Sequence, residues 1–75
     1  MKELLEVIAR SLVDVPESVD VRENEGEQSV VLELRVADGD MGKVIGKKGR
    51  IAQSIRTVMQ AAANRENKRV TVEII

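Results

Sequence analysis

Apolar residues in the first dozen positions recur at helical intervals. Leu5, Ile8 and Leu12, joined by Leu4 and Ala9, define one face of a segment from Met1 to about Val13, with Glu3, Glu6 and Arg10 facing outward. Pro16 ends this helix, because proline disfavours helical geometry at Val15; the chain leaves near Asp14 and turns through Pro16-Glu17-Ser18. The period then drops to two. Val19 and Val21 alternate with Asp20 and Arg22 up to about Glu23, and Asn24-Glu25-Gly26-Glu27 supplies a hairpin turn. Between Gln28 and Ala37, Val30, Leu32, Leu34 and Val36 face one way and Val31, Glu33 and Arg35 the other, the pattern of a half-buried strand.

Asp38-Gly39-Asp40 breaks that strand, and Asp40 is placed to N-cap a short helix through Met41-Gly42-Lys43-Val44-Ile45. After Gly49, Ile51, Ile55, Val58, Met59 and Ala62 fall on one helical stripe, while Arg50, Gln53, Ser54, Arg56 and Gln60 lie largely away from it. Asn64-Arg65-Glu66-Asn67 ends this main core helix. Val70, Val72 and Ile74 then alternate with Thr71 and Glu73 in a last strand. The order is α-β-β-α-α-β, an α+β arrangement. A single hairpin followed by a helical crossover predicts a three-stranded mixed sheet with helices packed on one face, the crossover right-handed and the last strand parallel to one member of the hairpin. Residues 1–75 are expected to form one small domain, which buries only about 60% of its unfolded surface.

Composition removes several chemistries. Without cysteine or histidine there is no disulfide framework, no thiolate metal site and no imidazole base or ligand; neither a catalytic residue, a cofactor nor a metal site is expected. The first residues are too acidic for a signal peptide and no stretch is apolar enough to span a membrane, which points to the cytoplasm. The net charge of −1 conceals a strong segregation: residues 1–40 carry −7, residues 41–65 carry +6 with no acidic residue, and residues 66–75 are neutral. Lys43, Lys47, Lys48, Arg50 and Arg56 therefore form either a local phosphate-seeking patch on an acidic body or a solvated helix face.

The loop Gly46-Lys47-Lys48-Gly49 favours the patch. Its glycines allow a tight turn and present no Cβ to an approaching ligand, its lysines project outward, and Gly49 and Arg50 open a helix whose unpaired N–H groups and positive dipole end face the same place. A nucleotide-hydrolysing phosphate loop does not fit: Gly42 and Gly46 enclose three residues rather than four, and Lys47 is followed by Lys48 rather than Ser or Thr.

Val44-Ile45-Gly46-Lys47-Lys48-Gly49-Arg50-Ile51-Ala52-Gln53-Ser54-Ile55 resembles the signature of the KH domain: an apolar pair, Gly-x-x-Gly, then apolar residues at the spacing of Ile51 and Ile55. Gly-x-x-Gly alone is a weak signal. Its placement between two helices, its lysines and the surrounding element order are specific, and that order resembles the bacterial type II KH topology over essentially the whole chain. The short length, Gly42-Lys43 before the motif, Arg50-Ile51-Ala52 after it and the ending Glu66-Asn67-Lys68-Arg69-Val70 resemble most closely the single-domain bacterial RNA-binding proteins of the KhpA family.

The resemblance implies single-stranded RNA binding. In KH domains the Gly-x-x-Gly backbone clamps about four nucleotides while bases lie in a groove formed by helix and strand side chains. Carried onto this chain, Gly46, Lys47, Lys48 and Gly49 meet phosphates and Lys43 and Arg50 add charge at the loop's edges. Some of Val44, Ile45, Ile51 and Ala52 form an apolar floor under the bases; which are floor and which are core the sequence leaves open. The family further implies homodimers, a larger KhpB-like KH partner, and an RNA-chaperone role influencing gene expression, cell shape and cell-wall homeostasis. In the sequence itself, only apolar residues such as Val31 and Ile75 on outer strand faces hint at assembly.

The absence of Phe, Tyr and Trp excludes the aromatic stacking platforms of RNA-recognition motifs, OB-folds and cold-shock domains, and predicts modest affinity assisted by a second domain. Two alternatives stay open. One is a KH-fold protein-interaction module whose main role is assembly. The other is single-stranded DNA binding, since phosphate clamping ignores the sugar and only 2′-OH contacts select RNA.

Overall fold

A helix at residues Lys2–Leu12 (α1) opens the computed structural model, which describes residues 1–75. Leu5 and Ala9 are its buried residues, and Glu3 in the first turn and Arg10 in the last suit the helix dipole. Pro16–Ser18 forms a single 3-10 turn and directs the chain into Asp20–Glu25 (β1). This strand extends two residues beyond the alternating apolar pattern, because Asn24 and Glu25 still pair with Val31 and Val30 of the second strand. The reversal is tighter than four turn residues: the Gly26 N–H donates to the Ser29 carbonyl at 2.7 Å.

Ser29–Arg35 (β2) is the central strand, antiparallel to β1 and parallel to Arg69–Ile74 (β3), so the sheet order is β1-β2-β3. Val30, Leu32 and Leu34 of β2 are buried, as the twofold pattern requires, and meet Val21, Val72, Leu5, Val44 and Met59 in one core. The opposite face is left to solvent and carries charges in cross-strand register, Asp20 opposite Arg35 and Arg22 opposite Glu33.

The parallel β2–β3 pairing requires a crossover, and two helices supply it: Met41–Ile45 (α2) and Arg50–Asn64 (α3). The buried stripe of α3 is Ala52, Ile55, Met59 and Ala63. It is turned by about one residue from the expected stripe: Ile51 and Ala62 are half-buried and Val58 is 47% exposed. Small Ala52 and Ala63 let α3 approach the sheet, while the larger Ile51 and Val58 turn toward α1, which shares the same sheet face.

Asp40 departs from its expected role. It makes no side-chain cap to α2. Its carboxylate instead reaches back across the fold, where Oδ1 accepts the Asp14 N–H at 3.2 Å and Oδ2 accepts the Val15 N–H at 3.0 Å. These are the backbone donors that Pro16 leaves stranded beyond the end of α1, and Asp40, 3% exposed, is the one buried polar residue of the chain. α1 is thereby tied to the start of α2.

Candidate nucleic-acid interface

α2 ends because Gly46 adopts φ 76°, ψ 172°, a backbone region essentially closed to side-chain-bearing residues. The turn then passes through Lys48, left-handed at φ 58°, and Gly49, left-handed at φ 72°, before α3 begins. The loop is thus a tight 3-10 turn with two consecutive left-handed residues. A Cβ on Gly49 would meet nothing within 4 Å, whereas one on Gly46 would fall 2.5 Å from Cγ1 of Ile51. The two glycines therefore do different work: Gly49 keeps the outer surface low, and Gly46 lets the loop close on α3.

The backbone donors expected to face a ligand are used inside the turn. The Gly49 N–H donates to the Gly46 carbonyl at 3.1 Å and the Arg50 N–H donates to the Lys47 carbonyl. The positive potential of this corner consequently rests on side chains and on the dipole of the 15-residue α3. Lys47, Lys48 and Arg50 are exposed and have no carboxylate within ion-pair distance.

Lys43 differs from them. Its ammonium lies 3.1 Å from Asp14 Oδ2 and 3.6 Å from Asp40 Oδ1. The hydrogen bond and charge of Asp14 push Lys43 above its ordinary value, Asp40 adding to the effect. Burial pushes the Asp40 carboxyl up, but the Asp14 and Val15 N–H groups and the Lys43 ammonium more than reverse this and hold it below the ordinary value. Lys43 thus reaches the loop with its charge compensated, bound into the cluster that anchors α2.

The four apolar floor candidates separate. Val44 is fully buried and Ala52 4% exposed, so both pack the core and offer no surface to a base. Ile45 is 36% exposed and Ile51 half-buried beneath Gly46. Ile51 also lines a groove of about 540 Å³ between α1 and α3, with Leu4, Ile8, Leu12, Arg50 and Val58 along its walls. The exposed apolar surface of the chain is concentrated on these helices, at Leu4, Val7 and Val58, more than on the strand faces, where Val31 is half-buried and Ile75 is exposed.

On its other flank α3 faces the free edge of β3. Arg56 Nε donates to the Val72 carbonyl at 3.3 Å; Gln60 Nε2 donates to the Lys68 carbonyl at 3.2 Å, and the Val70 N–H donates to Gln60 Oε1 at 3.2 Å. These contacts satisfy an edge strand's open backbone groups. Sequence reasoning placed Arg56 in the basic patch and gave Gln60 no role; the signal for both is their four-residue spacing on α3, meaningful only once β3 is known to run alongside.

Comparison with known proteins gives a consistent result. A protein called RNA-binding protein KhpA from Clostridium acetobutylicum is 69% identical over 75 residues, all of both chains. Proteins of the same name from Caldanaerobacter subterraneus and Chlamydia trachomatis are 61% and 47% identical, covering all of this chain and 100% and 96% of theirs. Among solved structures, Era from Aquifex aeolicus bound to GDP.AlF4- superimposes on 97% of this chain with a TM-score of 0.67 at 25% identity. Era in complex with MgGDPNP and a segment of 16S ribosomal RNA gives a TM-score of 0.60, also at 25% identity. The chain spans 28% of each Era chain. The fold is the type II KH fold, and with the family model "KhpA/KhpB, KH domain" matching residues 2–74, the chain belongs to that family.

Proposed function

We propose that this chain binds single-stranded RNA, with the Gly46–Gly49 loop against the phosphate backbone and the surfaces flanking α3 receiving the bases. The observation that carries the reading is the contrast among cations: Lys47, Lys48 and Arg50 stand together at the head of α3 without acidic partners, beside a Gly49 whose outer side is open. Relatives named RNA-binding protein KhpA, 69% identical over the full length in one case, support RNA as the polymer. The role is one of binding without catalysis, in the cytoplasm; no helix is long and apolar enough to cross a membrane.

Three unpaired cations at the loop correspond to a log–log salt slope of about −2 on a single strand. Such an interaction is modest, and a second RNA-binding unit raises it by avidity. The exposed apolar surface of Leu4, Val7 and Val58 supports assembly as the second part of the reading, with a second copy of the chain or a KhpB-like KH partner covering it. The paired units act as an RNA chaperone in regulating gene expression, cell shape and cell-wall homeostasis.

Backbone amide NMR during titration with a short single-stranded RNA tests the reading. The expected shift changes centre on Gly46, Lys47, Lys48, Gly49 and Arg50. Changes confined to the β1 and β2 faces, or no change at low salt, would overturn it.

A further inference from the structure

The geometry points to Arg56 as a specificity-determining residue that reads a base on the flank of α3 that faces the free edge of β3, an assignment that rests on the proposed RNA-binding role. The preferred base is one with two neighbouring acceptors, guanine through O6 and N7 or cytosine through O2 and N3. Adenine and uracil lack such a pair.

The placement begins with the helix. Ala52, Arg56, Gln60 and Asn64 succeed one another at four-residue intervals and so form one ridge of α3. That ridge faces the outer edge of β3: Arg69 and Ile75 donate their N–H groups toward β2, to the Gln28 and Leu34 carbonyls, so the Val70 N–H and the Lys68 and Val72 carbonyls turn outward. Gln60 is fully committed there. Its Nε2 serves Asn64 Oδ1 and the Lys68 carbonyl, and its Oε1 takes the Val70 N–H.

Arg56 is committed only in part. Nε alone is held, by the Val72 carbonyl, and the two terminal nitrogens have neither a carboxylate nor a hydrogen-bond partner. Arg10 and Arg22, by contrast, are paired with Glu6 and Asp20. A guanidinium anchored through Nε presents its remaining donors as a preorganised fork, and such a fork matches two adjacent acceptors, as in bidentate arginine contacts to guanine O6 and N7. Position along the strand agrees. Arg56 is six residues beyond Arg50, about 9 Å along the helix axis at 1.5 Å per residue, on the opposite flank of α3 from the groove that Arg50 lines, so a chain held by its phosphates at the loop reaches it by running along the β3 side of the helix. A lysine at this position would keep the charge and lose the fork.

The test uses uracil heptamers carrying a single central guanine, cytosine, adenine or uracil, titrated against five proteins by fluorescence anisotropy. Wild type is expected to favour the guanine or cytosine oligomer by about tenfold over the other two, and which of the two is favoured identifies the base. Arg56→Lys is expected to reduce that preference to within twofold while still binding. Gln60→Ala, which removes contacts to the β3 edge and leaves the guanidinium in place, is expected to retain it. A wild type without base preference, or an Arg56→Lys variant that keeps it, overturns the assignment. So does an Arg56→Ala variant that loses affinity equally for all oligomers and is rescued by lysine, since that describes a phosphate contact. Lys47→Asp with Lys48→Asp reports on the loop separately: if that protein binds as tightly as wild type, the loop reading fails, whereas loss of binding there with no effect of Arg56→Lys on preference rejects Arg56 alone.

Discussion

Gly46 and Ile51 compete for one volume: a Cβ built on Gly46 would lie 2.5 Å from Cγ1 and 2.9 Å from Cβ of Ile51. The loop closes against α3 only because residue 46 has no side chain, and its φ of 76° with ψ of 172° excludes one on backbone grounds as well. Gly49 is also at positive φ but has open space around it. Gly46→Ala is therefore expected to destabilise by at least the backbone strain of about 1–3 kcal/mol, with the clash in addition, and Gly49→Ala by about 1–2 kcal/mol. Urea unfolding of both variants measures the asymmetry; equal losses would contradict it.

Lys48 is a side-chain-bearing residue in the left-handed region, at φ 58°. Relieving a strain of about 1–2 kcal/mol with glycine, against its extra chain entropy of roughly 0.5–1 kcal/mol, leaves Lys48→Gly more stable by on the order of 0.5–1 kcal/mol. On the proposed reading the same variant loses a phosphate contact, so its RNA affinity should fall and its salt slope become shallower by about 0.7. Stability and binding move in opposite directions, as expected of strain kept at a functional loop.

Two neighbouring residues of α3 test its orientation. Met59 is fully buried in the core and Val58 is 47% exposed. Met59→Ala should cost about 2–5 kcal/mol, and Val58→Ala less than about 0.5 kcal/mol in the monomer. Thermal melts at low protein concentration decide this.

The Asp40 carboxyl is held below its ordinary value of 3.8 in the folded chain. The unfolded chain then takes up the proton first, so Asp40 contributes its full stabilisation above about the ordinary value, and the contribution is lost as pH falls through the folded value. Lys43 acts with the opposite sign: raised above its ordinary 10.5, it contributes below that value and loses the contribution as pH rises past it. Asp40→Asn should therefore be less stable than wild type at neutral pH, with the gap in melting temperature closing on acidification. A gap independent of pH would contradict this.

The element order, the mixed sheet and the tight Gly46–Gly49 turn between α2 and α3 are legible in the sequence because each rests on local signals: a change of period at Val19, a proline at 16, glycines at 46 and 49. What is not legible depends on neighbours distant in sequence. The α3 stripe drawn from periodicity includes Ile51, Val58 and Ala62, because an amphipathic pattern cannot distinguish a side chain facing the sheet from one facing α1. Asp40 reads as an N-cap by position, and only the approach of Asp14 and Val15, some 25 residues earlier, reveals which donors it satisfies. Lys43 counts as a loop charge until Asp14 is seen beside it. Val44 and Ala52, candidates for a base-contacting floor, are removed from that role by burial.

The central claim, that Lys47 and Lys48 hold RNA through its phosphates, is tested most directly by fluorescence-anisotropy titration of a short single-stranded RNA against wild type and the Lys47→Asp, Lys48→Asp double variant. Circular dichroism should show both proteins folded, since both side chains are exposed. The account predicts at least a tenfold loss of affinity in the double variant, about 1.4 kcal/mol. Equal affinity of the two folded proteins, or a wild type that binds no RNA at low salt, would contradict it.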